Sequence, residues 1–169
     1  MKKILPFILL TFLIGCSSAP VNYETRTSTS KFDGVVSKGS VPALVDCNEW
    51  KEECPVITLI HRSNLPNQIG VGIEINSIVK YYNLRQLSFN IDGDIITLSN
   101  PGLTDFKSHT NIRTSSAMFV TDLVLLDKIK KGNRIWIKVS TISDGAFERS
   151  ILDNGKQSRA YKAIMAFNP

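Results

Sequence analysis

Histidines and paired carboxylates are the side chains of this sequence that could perform acid–base or nucleophilic chemistry. Neither His61 nor His109 lies in a hydrolase, metal-binding or phosphate-binding motif. Asp92 and Asp94 lie one residue apart, but Asp92 is accounted for by a predicted turn at Asp92-Gly93. Nucleophilic catalysis requires a nucleophile, a base and an orienting group. The sequence therefore indicates no catalytic residue, no metal ligand and no cofactor.

The first sixteen residues carry a targeting signal. Met1-Lys2-Lys3 is basic, and the following run, Ile4–Ile14, is apolar apart from a proline and a threonine. A membrane-spanning helix needs about 20 apolar residues, so this run is too short and is typical of a secretory signal peptide. It ends in Leu13-Ile14-Gly15-Cys16, which resembles the lipobox of bacterial lipoproteins.

The resemblance implies that Cys16 carries fatty acids, such as palmitate, and becomes the N-terminus after cleavage behind Gly15. In that family a residue other than aspartate after the cysteine, here Ser17, favours the outer membrane. Several buried acyl chains, at about 0.8 kcal/mol per CH₂, would anchor the protein stably. The resemblance thus implies an outer-membrane lipoprotein, with the periplasmic side favoured over the cell surface. The alternative is an ordinary signal peptide in which Cys16 is incidental.

Two further cysteines, Cys47 and Cys54, bracket a short segment with acidic residues and a tryptophan but no histidine. Exported proteins meet an oxidising compartment, and two cysteines are the number that pairs. A disulfide across this loop would contribute about 2–2.5 kcal/mol in the chain-entropy picture. Free thiols and a metal site are the alternatives, and the missing histidine argues against the metal.

Four side chains are candidates for a binding surface. Tyr81 and Tyr82 have basic residues on both sides and could contact a sugar or a partner protein, although core or rim tyrosines of a sheet fit the same pattern. Trp136 points to the opposite face from its two isoleucine neighbours, where it lies either under a helix or exposed. Arg149 falls among apolar neighbours, which indicates either a binding residue or a strand register that is off by one.

Length and composition indicate one globular domain. The chain has 169 residues, 43% hydrophobic and 21% charged. Removing the two lysines of residues 1–15 lowers the formal net charge from +5 to +3, which is too weak to argue for nucleic acid. We divide the chain into a signal peptide (1–15), a lipidated cysteine with a Ser/Thr-rich tether (16–34) and a β-rich domain (35–169). A first strand within the tether is the alternative.

Hydrophobic patterning predicts strands over most of the domain. Val71, Ile73 and Ile75 alternate with less apolar residues, as expected of a half-buried strand. The strongest local signal is Asp92-Gly93 between two apolar runs, which predicts a two-residue hairpin turn. In that register Phe89 pairs with Ile96 and Leu87 with Leu98 on one face, while Ser88 pairs with Thr97 on the other face.

A second hairpin is predicted between residues 135–139 and 147–152. A three-residue loop, Ser143-Asp144-Gly145, places Ile137 opposite Ile151 and Arg149 on the face of Phe147. A two-residue Asp144-Gly145 turn would place Ile137 opposite Leu152 instead. We favour the three-residue loop.

Two helices are predicted in the C-terminal half. In the first, Thr121 caps the start, Leu123, Leu126 and Ile129 share one face, and Gly132 ends it. The second covers 158–167, with Ala160, Ile164 and Phe167 in line. The predicted fold class is mainly β, an antiparallel sheet or sandwich with about two short helices in the C-terminal half.

From residue 87 onward the order of elements resembles small exported β domains, such as the invasion-associated locus B family and the accessory lipoproteins of type VI secretion. The matching stretches are 89–93, 123–132, 135–140 and 158–163. The resemblance implies a non-catalytic envelope role with a protein partner. We therefore expect a lipid-anchored binding or assembly module that faces the periplasm; a small periplasmic hydrolase or enzyme inhibitor is the alternative.

Overall fold

The computed structural model describes residues 21–47, 53–100 and 102–169. Strands account for 52% of these described residues and form two antiparallel sheets, one of them a half-barrel, with two short helices in the C-terminal half. The predicted fold class is confirmed. In chain order the elements are β1 (Arg26–Thr29), β2 (Val36–Gly39), β3 (Ala43–Leu44), β4 (Pro55–Arg62), β5 (Gln68–Ser77), β6 (Leu84–Ile91), β7 (Asp94–Ser99), β8 (Asp105–His109), β9 (Ile112–Asp122), α1 (Val124–Lys131), β10 (Ile135–Thr141), β11 (Ala146–Asp153), β12 (Lys156–Gln157) and α2 (Arg159–Ala166).

The two sheets divide the chain unequally. The larger sheet has the order β1-β2-β4-β5-β9-β8. β2 pairs with the C-terminal end of β4, and the short strand β3 pairs with the N-terminal end of β4. The smaller sheet has the order β12-β11-β10-β6-β7. In the smaller sheet β6 lies between its hairpin partner β7 and the distant strand β10, so the centre of this sheet depends on a long-range pairing.

The core lies between the inner faces of the two sheets and is completed by the helices. In β5 the predicted alternation is confirmed, because Val71, Ile73 and Ile75 are buried. Phe119 of β9 pairs with Val71 and is also buried. The period of two thus assigns one face of β5 and one face of β9 to the core.

The β6–β7 hairpin forms in the predicted register. Asp92 and Gly93 adopt φ values of 53° and 103°, as the two central positions of such a turn require. Phe89 pairs with Ile96 and Leu87 with Leu98, and both β6 residues are fully buried. The short-range signal was sufficient here because the turn type and the hydrophobic alternation specify the same register.

The register predicted for the β10–β11 hairpin is wrong by two residues. Val139 pairs with Phe147 and Ile137 with Arg149, rather than with Ile151. The loop is closed one residue earlier than predicted, because the Thr141 N–H donates to the carbonyl of Gly145 over 2.9 Å, so residues 142–144 form the turn instead of residues 143–145. A shift of two residues keeps the side chains on the same face, so the predicted inward side of Arg149 is retained.

A register shift then occurs near the far end of the same pair of strands. Trp136 pairs with Ser150, but the next pair is Ile135 with Leu152. Ile151 is the extra residue of this bulge, and both Ile151 and Leu152 are buried. The bulge places two consecutive apolar residues in the core, which a strictly alternating strand would not allow.

The predicted cap of the first helix is wrong. Thr121 lies in β9, where it pairs with Ile69 of β5, and α1 begins at Val124 without a side-chain cap. The strand persists because its ladder with β5 continues through Asp122. Leu126 and Ile129 face the core as predicted, and Leu123 packs against its edge.

Gly132 ends α1 as predicted. A Cβ atom at Gly132 would come within 2.8 Å of the Ile91 side chain, so the end of the helix approaches β6 closely. In α2 the Ser158 side chain accepts from the Tyr161 N–H at 3.1 Å, and Ala160, Ile164 and Phe167 are buried as predicted. Among the described residues no helix is long and apolar enough to cross a membrane.

The segment predicted to be a tether, 16–34, contains the strand β1, in line with the alternative of a first strand there. β1 pairs along its whole length with β2, with Arg26 opposite Gly39 and Thr29 opposite Val36. All four β1 residues are exposed, so the strand has no apolar period and the sequence offers a strand here only as an alternative. The predicted lipidation site, Cys16, lies outside the described residues, as does the signal peptide.

Candidate binding groove

An open groove of about 910 Å³ lies over the outer face of the smaller sheet. We call it the sheet groove. Its floor comes from the outward-facing positions of three neighbouring strands, β6, β7 and β10, with β11 and the β6–β7 turn at its margins. The lining residues are Gln86, Ser88, Asn90, Asp92, Gly93, Ile95, Thr97, Arg134, Trp136, Ile137, Lys138, Ser140 and Glu148.

The alternation of β6 and β10 positions this lining. Leu87 and Phe89 are buried between the sheets, so Gln86, Ser88 and Asn90 must face outward. On β10 the same argument places Trp136, Lys138 and Ser140 outside. The two rows meet across the ladder, because Trp136 pairs with Asn90, Lys138 with Ser88 and Ser140 with Gln86.

Trp136 is half-buried within this groove and lies neither under a helix nor fully exposed. The guanidinium of Arg134 lies 5.8 Å from the centroid of its ring, within the range of a cation–π contact. The indole Nε1 is covered and has no hydrogen-bond partner among the described residues. The tryptophan therefore contributes a partly exposed aromatic ring to the groove.

Short side chains with both donors and acceptors form much of the floor. The hydroxyls of Ser88 and Thr97 lie 2.9 Å apart, which confirms the predicted pairing on the outer face. The Asn90 Oδ1 accepts from the Gly93 N–H at 3.0 Å and so ties the floor to the turn. These bonds pre-organise the floor without using all of its polar atoms.

The charged residues of the groove are engaged with neighbours of the protein itself. The Asp92 carboxylate accepts from the Arg134 N–H at 2.7 Å and from the Asn133 N–H at 3.1 Å. Arg134 forms an ion pair with Asp153 at 2.8 Å. Asp92 therefore holds together the β6–β7 turn and the chain that enters β10.

A second ion pair crosses the margin of the groove. The Lys138 Nζ lies 2.8 Å from a carboxylate oxygen of Glu148 on β11. Together with Asp92 and Arg134, the lining carries two cations and two anions. The groove is therefore balanced in charge.

Tyr82, one of the residues predicted to bind, lies in the core. Its ring packs edge-on against Phe147, with the centroids 4.9 Å apart, and its hydroxyl contacts the Glu53 carboxylate. Burial, followed by the hydrogen bond to Glu53, raises the pKa of Tyr82 to about 12. This contact links Tyr82, just before β6, to Glu53 beside the Cys47–Cys54 disulfide.

The other two candidates lie outside the groove lining. Tyr81 is partly exposed and packs against Phe106 of β8, with the ring centroids 5.2 Å apart. Arg149 is half-buried on the inner side of β11, and its Nη1 donates to the Glu148 carbonyl at 2.8 Å. Trp136 is thus the one predicted binding residue that lines the sheet groove.

The predicted disulfide is confirmed. Cys47 and Cys54 are bonded, with their Cα atoms 6.2 Å apart. Val45 beside this loop is buried, and its N–H donates to the carbonyl of Pro55, so the bridge closes a loop beside the start of β4.

The histidines lie on the larger sheet, away from the groove lining. His61 lies near the end of β4 and contacts the Pro66 carbonyl at 3.2 Å, and His109 ends the exposed strand β8. The described part of the chain contains no group of three or more histidine, cysteine, aspartate or glutamate side chains that could hold a metal ion.

Sequence reasoning identified Trp136 but not the surface around it. Gln86, Ser88 and Asn90 alternate with core residues, and this signal was readable within β6. The missing information was that β10 pairs with β6, which brings Trp136 beside Asn90.

Comparison with known proteins does not identify the chain: no family model, curated protein or solved structure matches it.

Proposed function

We propose that this protein is a lipid-anchored, non-catalytic binding module of the bacterial envelope, and that the sheet groove is its binding site. The observation that carries the proposal is the groove itself. Its volume of about 910 Å³ falls within the size range of ligand sites in proteins. It combines one large aromatic surface with several polar side chains, as binding sites do.

The chemistry of the lining supports binding rather than catalysis. Asp92 accepts two backbone N–H groups, and Glu148 is paired with Lys138. Both carboxylates are therefore already engaged by groups of the protein itself.

The rigidity of the floor also supports binding. β6 and β10 are central strands, each paired on both sides, and their inner faces are packed in the core. A site on such strands is held in place before the ligand arrives, which lowers the entropic cost of binding.

The location rests on the sequence. The lipobox-like Leu13-Ile14-Gly15-Cys16 supports a lipid anchor, and the Cys47–Cys54 disulfide is compatible with an oxidising compartment. An anchored module with an open groove would present that groove to envelope components within reach of the membrane.

Filling the groove tests the function. Thr97 is exposed on β7 and lines the groove, so Thr97→Trp should block it without disturbing the core. Thr29→Trp is the matched control, because Thr29 is an exposed strand residue of the other sheet. The measurement is crosslinking in intact cells, followed by capture of the full-length protein and analysis of what is attached.

We expect the wild-type protein and Thr29→Trp to retain the same crosslinked component, and Thr97→Trp to lose most of it. Circular dichroism checks that both variants are folded. Equal capture by all three proteins would contradict the assignment of the site to the sheet groove.

A further inference from the structure

We infer that the ligand of the sheet groove is an uncharged oligosaccharide. The inference rests on the proposed function, since it names the chemical class that the same groove would bind. Three features of the lining carry it: the balance of its charges, the type of its hydrogen-bonding groups and the position of Trp136.

The charges of the lining favour a ligand without net charge. Asp92 and Glu148 balance Arg134 and Lys138. Lys138 is paired with Glu148 at 2.8 Å, and Arg134 with Asp153 at 2.8 Å beside the groove. A polyanion or a polycation would meet equal attraction and repulsion and would have to compete with these ion pairs.

The uncharged polar side chains of the floor share one hydrogen-bonding property. Gln86 and Asn90 carry amides, and Ser88, Thr97 and Ser140 carry hydroxyls. Each of these groups both donates and accepts hydrogen bonds. Sugar hydroxyls also both donate and accept, so a polyhydroxylated ring can bond to several of these side chains at once.

Trp136 provides the apolar part of such a site. A pyranose ring exposes C–H groups on its faces and hydroxyls around its rim, and therefore stacks on an aromatic ring while its rim bonds to polar neighbours. Trp136 pairs directly with Asn90 across the β6–β10 ladder, which places an amide beside the indole.

The geometry argues against an extended peptide as the ligand. A peptide gains its affinity for a sheet by pairing with a free edge strand. Of the three floor strands, β6 and β10 are paired on both sides, and β7 is the edge strand of the sheet. A peptide paired with β7 would extend the sheet in its own plane and would not lie over the groove floor. A ligand over the floor meets side chains, which suits a ligand recognised through hydroxyls.

Tryptophan fluorescence and calorimetry provide the test. The chain has two tryptophans, Trp50 and Trp136. We would use the full-length protein with Trp50→Phe, extracted in a detergent without a sugar headgroup, so that the emission reports Trp136. The probes are neutral tetrasaccharides of glucose, mannose, galactose and N-acetylglucosamine, an anionic tetragalacturonate and an uncharged Gly/Ser peptide.

We expect at least one neutral tetrasaccharide to shift the Trp136 emission and to bind in calorimetry, with weaker or no binding of the tetragalacturonate and the peptide. Trp136→Ala should weaken this binding by about tenfold or more, and Trp136→Phe by much less, because the phenyl ring retains a stacking surface. Tyr81→Ala is the control, since Tyr81 is a partly exposed aromatic outside the groove lining.

Three results would overturn the inference: no binding of any neutral tetrasaccharide, binding that Trp136→Ala leaves unchanged, or tighter binding of the peptide or the tetragalacturonate. If the sugars fail but Thr97→Trp still abolishes capture in cells, the groove is the binding site of another class of ligand. If both experiments fail, the proposed function fails as well.

Discussion

Gly93 occupies the second central position of the β6–β7 turn with a φ of 103°, and no atom lies within 4 Å of where its Cβ would be. A side chain at Gly93 would therefore be opposed by backbone strain at this positive φ, and not by contact with neighbouring atoms. We expect Gly93→Val to lower the free energy of unfolding by about 1–3 kcal/mol, the cost of one strained backbone position.

Gly102→Val is the matched control for this variant. Its nearest neighbour, the Asn100 Oδ1, would lie 3.9 Å from the added Cβ, and Gly102 does not have a positive φ. Urea denaturation of both variants gives the comparison. A Gly93→Val protein no less stable than Gly102→Val would show that the turn is not held in this conformation.

The protonation state of the Tyr82 phenol affects the free energy of unfolding. Burial and the Glu53 carboxylate raise its pKa to about 12, whereas the phenol of an unfolded chain titrates near 10. The protonated phenol therefore stabilises the fold fully below pH ~10, and this contribution is lost as the pH rises through 12. We expect the wild-type Tm to fall more steeply between about pH 10 and 12 than that of Tyr82→Phe.

The control for this pH dependence is Tyr81→Phe, because Tyr81 is partly exposed and has no contact with Glu53 among its described contacts. Its Tm should follow the wild-type profile. A Tyr82→Phe protein with the same slope as wild type would argue against the Tyr82–Glu53 contact.

At the scale of elements, the β6–β7 hairpin has one core face and one groove face. Phe89 is 1% exposed and lies in β6 between Ile96 of β7 and Ile137 of β10. We expect Phe89→Ala to cost about 3–5 kcal/mol, because it removes a large side chain from a filled core.

Ile95→Ala is the comparison on the same hairpin, since Ile95 is 70% exposed. It should change the free energy of unfolding by less than about 0.5 kcal/mol. Chemical denaturation of the two variants measures the difference. Equal stability of Phe89→Ala and wild type would mean that the faces of the hairpin are inverted and that the groove has been placed on the wrong side.

At the scale of the whole molecule, we expect a covalent anchor at Cys16, on the basis of the lipobox-like residues before it. Cys16→Ser should move the protein from the membrane fraction to the soluble fraction and remove labelling with a fatty acid. Fractionation and metabolic labelling provide the measurement. Cys47→Ser is the control, because it removes a cysteine of the disulfide and should leave the labelling in place. Labelling that persists in Cys16→Ser would rule out this anchor.

Local features of the sequence determined much of the fold. The Asp92-Gly93 turn, the alternation of β5 and the apolar line of α2 were all predicted, because a turn type or a helical or strand period depends only on residues near one another. The Cys47–Cys54 bridge was predicted for a related reason, since export and two nearby cysteines suffice to suggest it.

The tertiary structure decided which strands are neighbours. A strand at β1 was predicted only as an alternative, because an exposed strand held by backbone bonds has no apolar period. The β10–β11 register moved by two residues because its loop is closed through Thr141 and Gly145. The sheet groove depends on the pairing of β6 with β10, whose residues lie far apart in the chain. Pairing over such a separation is selected by the joint burial of the two inner faces. No local pattern contains that information, so the sequence could place Trp136 on the face opposite Ile135 and Ile137 but could not place it beside Asn90.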